Sequence, residues 1–130
     1  MGRFTPYHAE SVEYAKVITQ NMPDPLQRFN AIGKWATKQI RYDYIKAITV
    51  PKRGKEVPDL ERTWTKRRGI CLDIASLVTG MMRGVGIKAE LIFGYADGKY
   101  HAWVEATING KRYRYDHDGK AKSYVRKEVY

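Results

Sequence analysis

One cysteine, Cys71, stands among 130 residues. A lone thiol cannot close an internal disulfide or build a cysteine-based zinc site. What remains is a small buried apolar side chain or a nucleophile. Its position favours the nucleophile. Gly69-Ile70-Cys71 lies where a loop enters a helix, and Ile74, Leu77, Val78, Met81 and Met82 then recur at helical spacing. The unpaired N–H groups and the dipole of a helix start stabilise a thiolate. Arg67 and Arg68 just upstream push the same way if the fold brings them near.

A nucleophilic thiol needs a base, and the base needs an orienting partner. Asn109-Gly110 is a strong signal for a two-residue hairpin turn. Pairing outward from it sets Ile108 against Lys111, Thr107 against Arg112, Glu105 against Arg114, Trp103 against Asp116 and His101 against Asp118. His101, Trp103, Glu105 and Thr107 share one side of the sheet by the period of two, and Asp116 and Asp118 fall on that side. Asp116 is the diagonal neighbour of His101, roughly 7–8 Å away between backbones and within side-chain reach. Asp118 lies directly opposite, at the fraying end of the hairpin. Glu105 against Arg114 reads as a structural ion pair, which demotes Glu105 as a catalytic acid. His8 and His117 read as surface histidines without a task, and the three histidines lack metal-ligand spacing. No cofactor is expected. The candidate catalytic set is Cys71, His101 and Asp116.

Three helices and three strands must position that set. Helices are expected over 10–20, 25–40 and 71–83, the second capped by Asp24 with Pro25 in its first turn. After Gly86 the pattern switches to alternation, giving antiparallel strands over 89–95, 100–108 and 111–116. The tail over 119–130 reads as a final strand or a loose end. A basic loop over 50–58 carries Lys52, Arg53 and Lys55. The class is α+β, N-terminal helices packed on an antiparallel β-meander, in a single domain over 1–130.

These motifs in this order resemble the transglutaminase-like superfamily. Gly69-Ile70-Cys71-Leu72-Asp73-Ile74-Ala75 is similar to its nucleophile segment. Met81-Met82-Arg83-Gly84-Val85-Gly86-Ile87-Lys88-Ala89 resembles its helix end and following strand. Gly94-Tyr95 and His101-Ala102-Trp103 match its glycine–tyrosine and HAW elements, and Tyr115-Asp116 its third catalytic position. The resemblance covers about 35–118. It implies a papain-like α+β core, with Cys71 as nucleophile, His101 as general base and acid, and Asp116 as orienter. It implies acyl transfer on carboxamide or peptide bonds: hydrolysis, deamidation or transamidation, as in cysteine proteases and crosslinking transamidases. It also suggests Trp64 and Trp103 as apolar walls of a substrate site, against which stands ordinary packing. His117 departs from the family, which often has Pro there. No Gln lies in the few residues before Cys71 to serve as an oxyanion donor, so the Cys71 N–H is the donor in view.

Lys and Arg number 24 against 14 Asp and Glu, a net charge of +10. Such a surface attracts anionic polymers weakly and in a salt-sensitive way. The basic residues are scattered, without a stacking platform, so no specific nucleic acid is expected. A catalytically idle domain of the same fold that binds an anionic partner is the competing reading. No apolar run reaches the roughly 20 residues of a membrane span. No signal peptide is expected from the N-terminal residues, nor myristoylation, because Pro6 stands where Ser or Thr is needed. The compartment stays open.

Overall fold

A computed structural model describes residues 5–49 and 57–130. In order they form α1 (Ala9–Ile18), α2 (Pro25–Gln39), β1 (Arg41–Tyr42), α3 (Tyr44–Thr49), α4 (Leu60–Lys66), β2 (Arg68–Gly69) and α5 (Cys71–Gly84). Then come β3 (Lys88–Ala96), β4 (Lys99–Ile108), β5 (Lys111–Tyr115) and β6 (Tyr124–Val129). Lys52, Arg53 and Lys55 of the basic loop lie outside the described residues.

Local chemistry sets the boundaries. Asp24 accepts from the Leu26 N–H at 2.9 Å, and Pro25 fills the first turn of α2, where no N–H is needed. Asp97-Gly98 and Asn109-Gly110 both have positive φ at two successive residues, the turn whose twist matches that of paired strands. They join β3 to β4 and β4 to β5. The second ladder has the expected register, with Ile108 on Lys111, Thr107 on Arg112 and Glu105 on Arg114. It ends at Val104 on Tyr115, one residue short of Asp116.

The sheet order is β5-β4-β3-β6. The tail is therefore a strand, antiparallel to β3. α5 lies between this sheet and the first two helices. Leu72, Ile74, Leu77, Val78, Met81 and Met82 are all buried, against Ala89, Leu91, Phe93, Ala102, Val104, Ala106 and Ile108 of the inner sheet face. Burying each larger apolar side chain contributes about 1.5–3 kcal/mol, so this layer fixes where α5 begins relative to β4.

Helix α3, helix α4 and the short parallel pair β1–β2 were not expected from periodicity. They are six, seven and two residues long, too short for a repeating apolar stripe. Asp43 starts α3, accepting from the Lys46 N–H at 3.0 Å. Asp59 starts α4, accepting from Arg62 N–H at 3.0 Å.

Candidate active site

Cys71 is the first residue of α5, with Ile70 as its N-cap. Isoleucine has no acceptor to offer, so the cap comes from the other direction. The Asp73 carboxylate reaches back to the Ile70 N–H at 3.0 Å. Gly69 makes room for this, because a Cβ there would sit 2.7 Å from the Asp73 Cβ. Asp73 is 1% exposed and also accepts from the Asp59 N–H at 2.9 Å and from Lys46 Nζ at 2.7 Å. One carboxylate thus ties α3, the start of α4 and the start of α5 together. Beside it, the Asp43 N–H donates to the Gly69 carbonyl at 2.9 Å, which holds the β1 end against the β2 end. As the first helical residue, Cys71 has an N–H with no acceptor inside the helix.

His101 stands near the start of β4, its side chain 17% exposed, and its Nε2 lies 2.9 and 3.0 Å from the two Asp116 oxygens. That leaves Nδ1 for the thiol side. Cys71 is close enough to hydrogen-bond the imidazole and act on it electrostatically. Burial pulls the imidazole down, but the hydrogen bonds to Asp116 and Cys71 and the charges of both outweigh it, pushing it up to about 10. Burial likewise pushes the Asp116 carboxyl up, and the His101 and Tyr124 hydrogen bonds overcome this and hold it below its ordinary value. Tyr124 Oη donates to Asp116 Oδ2 at 2.7 Å, and the Asp118 N–H donates to Oδ1 at 3.3 Å. Asp118 itself is exposed, and the imidazole takes Asp116 as its carboxylate.

A cleft of about 630 Å³ opens onto Cys71, His101 and Asp116, with Tyr42, Tyr44 and Tyr100 among its walls. Burial first, and then the Cys71 charge, raise the Tyr42 phenol to about 12. It therefore remains an O–H donor beside the thiol across the neutral range.

Three side chains sit elsewhere than expected. Glu105 meets Arg112 at 2.6 Å, not Arg114, although Arg114 is its ladder partner. One Glu105 oxygen accepts from Trp103 Nε1 at 2.8 Å, and the long Arg112 side chain, on the diagonal, reaches the other. Arg114 lies over the Tyr124 ring instead, 3.7 Å from its centroid. Arg67 turns away from the thiol and stacks its guanidinium on Trp64 and Trp35, 4.1 and 5.0 Å from their centroids. His117 and His8 each have a partner: His117 Nε2 donates to the Ile40 carbonyl at 2.7 Å, and His8 Nδ1 caps α1 by accepting from the Ser11 N–H at 3.2 Å.

The two tryptophans divide. Trp103 stacks beside His101, centroids 6.0 Å apart, but is fully buried. Trp64 packs with Tyr14, Trp35 and His8, and is absent from the lining of the cleft at Cys71. Among the described residues, His8, Glu10 and Glu61 have ligand-type atoms within 4.8 Å of one another. Hydrogen bonding accounts for that closeness. With Nδ1 accepting from Ser11, His8 Nε2 carries the proton and donates to Glu61 at 2.6 Å.

Residues 12–117 match the model of the transglutaminase-like superfamily, and the chain belongs to that superfamily. A relative in Mycobacterium leprae (strain TN), the uncharacterized protein ML0607, is 27% identical over 119 residues, covering 82% of this chain and 40% of its own length. A candidate cysteine protease from Cytophaga hutchinsonii superposes with a TM-score of 0.73 at 21% identity, over 93% of this chain and 42% of its own. A candidate protease from Parabacteroides distasonis ATCC 8503 does so with a TM-score of 0.69 at 22% identity, over 83% and 23%. At these identities the superpositions establish a shared transglutaminase/papain-like α+β fold. The chain spans less than half the length of each of these proteins.

Proposed function

We propose that this chain is a thiol acyl-transfer enzyme acting on carboxamide or peptide bonds, with Cys71 as nucleophile, His101 as base and acid, and Asp116 as orienter. The observation that supports it best is His101 held between Asp116 at 2.9 Å and Cys71, on the floor of an open cleft. The Cys71 sulfur attacks the carbonyl carbon, a C–S bond forms, and the carbonyl π pair moves to oxygen beside the Cys71 N–H. Collapse breaks the C–N bond, and the amine leaves with the proton held by His101. Water or a second amine then attacks the thioester, His101 takes its proton, and the C–S bond breaks to restore the thiolate. Water gives hydrolysis or deamidation, and an amine gives transamidation.

The test is a peptide library scored both for amide cleavage or ammonia release and for incorporation of a labelled primary amine. Turnover in the wild type, lost in Cys71→Ala with unchanged circular dichroism, is the expected result. A Cys71 that resists iodoacetamide at every pH while folded, and reacts only after denaturation, would remove the enzyme reading and leave the fold standing.

A further inference from the structure

The His101–Asp116 pair does not end at Asp116. The carboxylate accepts a third side-chain contact, from Tyr124 Oη at 2.7 Å, and Tyr124 is the first residue of β6. That ring is fixed on two sides. Trp103 meets it edge-on at 5.0 Å, and the Arg114 guanidinium covers it at 3.7 Å. Trp103 in turn stacks beside His101. Tyr124 therefore touches the orienter directly and the packing partner of the base.

The backbone shows that β6 is held in this place. Asp97, in the β3–β4 turn, accepts from the Lys122 and Ser123 N–H groups at 3.0 and 2.9 Å, and its own N–H donates to the Ser123 carbonyl at 2.8 Å. Those contacts fix the corner immediately before Tyr124. Two residues on, β6 passes so near β3 that a Cβ on Gly94 would lie 2.0 Å from the Val125 carbonyl oxygen and 2.9 Å from Trp103 Cη2. The ladder shifts register at the same point, between Phe93 and Gly94. A glycine in mid-strand here gives up β propensity and gains a close backbone approach. That approach brings the Tyr124 hydroxyl to the carboxylate.

We infer that Tyr124 is a positioning residue of this site: its hydroxyl locks the rotamer of Asp116, and through it the imidazole of His101. The inference rests on the acyl-transfer reading for its consequence on Cys71, but not for its effect on Asp116. The groups facing the Asp116 carboxylate are His101 from β4, Tyr124 from β6 and the Asp118 N–H, with the Arg114 guanidinium from β5 behind the Tyr124 ring. With His101 on both oxygens, the carboxylate needs a second fixed donor to settle in one orientation.

The experiment uses the full chain and two readouts. Carbon-13 carboxyl NMR follows the titration of Asp116, assigned by its loss in Asp116→Asn. Iodoacetamide alkylation of Cys71 at pH 7 reports the thiol–imidazole pair. Tyr124→Phe keeps the ring and removes only the hydroxyl. Its Asp116 titration should move up by about one pH unit, the loss of one charge-assisted hydrogen bond. Alkylation should slow several-fold, less than in His101→Ala. An Asp116 titration unmoved in Tyr124→Phe overturns the inference. So does an unchanged alkylation rate where His101→Ala does slow the reaction. Should His101→Ala leave alkylation unchanged, the acyl-transfer reading falls, while the Asp116 titration still decides the hold of the tyrosine. If Tyr124→Phe fails to fold, the wild type still tests the inference. An Asp116 that titrates at or above the ordinary carboxylate value of about 3.9 overturns the inference.

Discussion

Two buried carboxylates, Asp73 and Asp116, gather donors from distant parts of the chain, and they do so to different ends. Asp73 binds the Lys46 ammonium and two backbone N–H groups, and its effect is to hold three segments in register around the start of α5. Asp116 binds an imidazole and a phenol, and its effect is to hold a ring that can change its proton count. The donors decide the role. A carboxylate whose donors are mainly backbone fixes geometry. One whose principal donor is histidine passes its geometry on to chemistry.

The contrast is sharpest when both residues receive the same substitution. Asp116→Asn should lower amide turnover by about 10²- to 10⁴-fold, because an amide no longer selects the productive imidazole tautomer. It should cost only about 1 kcal/mol in urea denaturation, since Asn still supplies one acceptor and one donor. Asp73→Asn should do the reverse. It turns an amide donor toward Lys46 and the Ile70 N–H, which share Oδ2, and leaves two of three donors unmet, costing about 3–5 kcal/mol. Equal stability losses for the two variants would erase the distinction.

The pH dependence of stability reads the Asp116 site through the ring it holds. The His101 imidazole is raised in the folded state, from an ordinary value near 6.5 to about 10. Its contribution to stability is therefore complete below about pH 6.5 and is lost as pH climbs toward 10. Asp116 is lowered, so its contribution is present above the ordinary carboxylate range and is lost on acidification through its folded value. The stability gap between wild type and His101→Ala should narrow steadily from pH 6.5 to 10. A gap that widens over that range would mean the imidazole is not held protonated. Cys71→Ala should lower the His101 titration seen by proton NMR, because part of the upward push comes from the thiol.

Gly94→Ala tests the route from β6 to Asp116. Steric overlap with the Val125 carbonyl should cost about 1–3 kcal/mol, read as a fall in Tm, with Tyr124 drawn off the carboxylate. The smallest effect belongs to the surface charge. Retention on a polyanion column should be weak and should vanish as added salt shortens the screening length below about 8 Å. Retention that survives high salt would point to a dedicated anionic partner.

Much of the site was legible because its parts are local. The Asn109-Gly110 turn fixes the β4–β5 register, and that register puts His101 and Asp116 on one face with no knowledge of the rest of the fold. The start of α5 was legible from the apolar stripe behind Cys71. What sequence reading missed depends on distance. Asp73 stands three residues after the N-cap, a recognised place for a capping carboxylate, but Ile70 hid the pattern by lacking a polar side chain. Lys46 and Asp59 reach Asp73 from 27 and 14 residues away. Glu105 takes the diagonal Arg112 over the facing Arg114, a choice made by side-chain reach that strand period cannot express. Tyr124 lies only eight positions beyond Asp116, but it meets the carboxylate only because β6 pairs with β3 on the far side of β4.

The strand order also gives the excess of basic residues a second meaning. Among the described residues β5 and β6 stand at the two margins of the sheet, and an edge strand offers backbone donors and acceptors that another chain could extend. Val125 and Val129 on β6 are about half exposed, at 48% and 47%, and would suit such an extension. Both margins carry cations: Lys111, Arg112 and Arg114 on β5, and Arg126 and Lys127 on β6. Two copies meeting margin to margin would bring like charges together, which disfavours self-association. Neutralising Lys111 and Lys127, and leaving Arg114 on the Tyr124 ring, should produce strand-mediated aggregates, read by light scattering, before any change in the chemistry of the cleft.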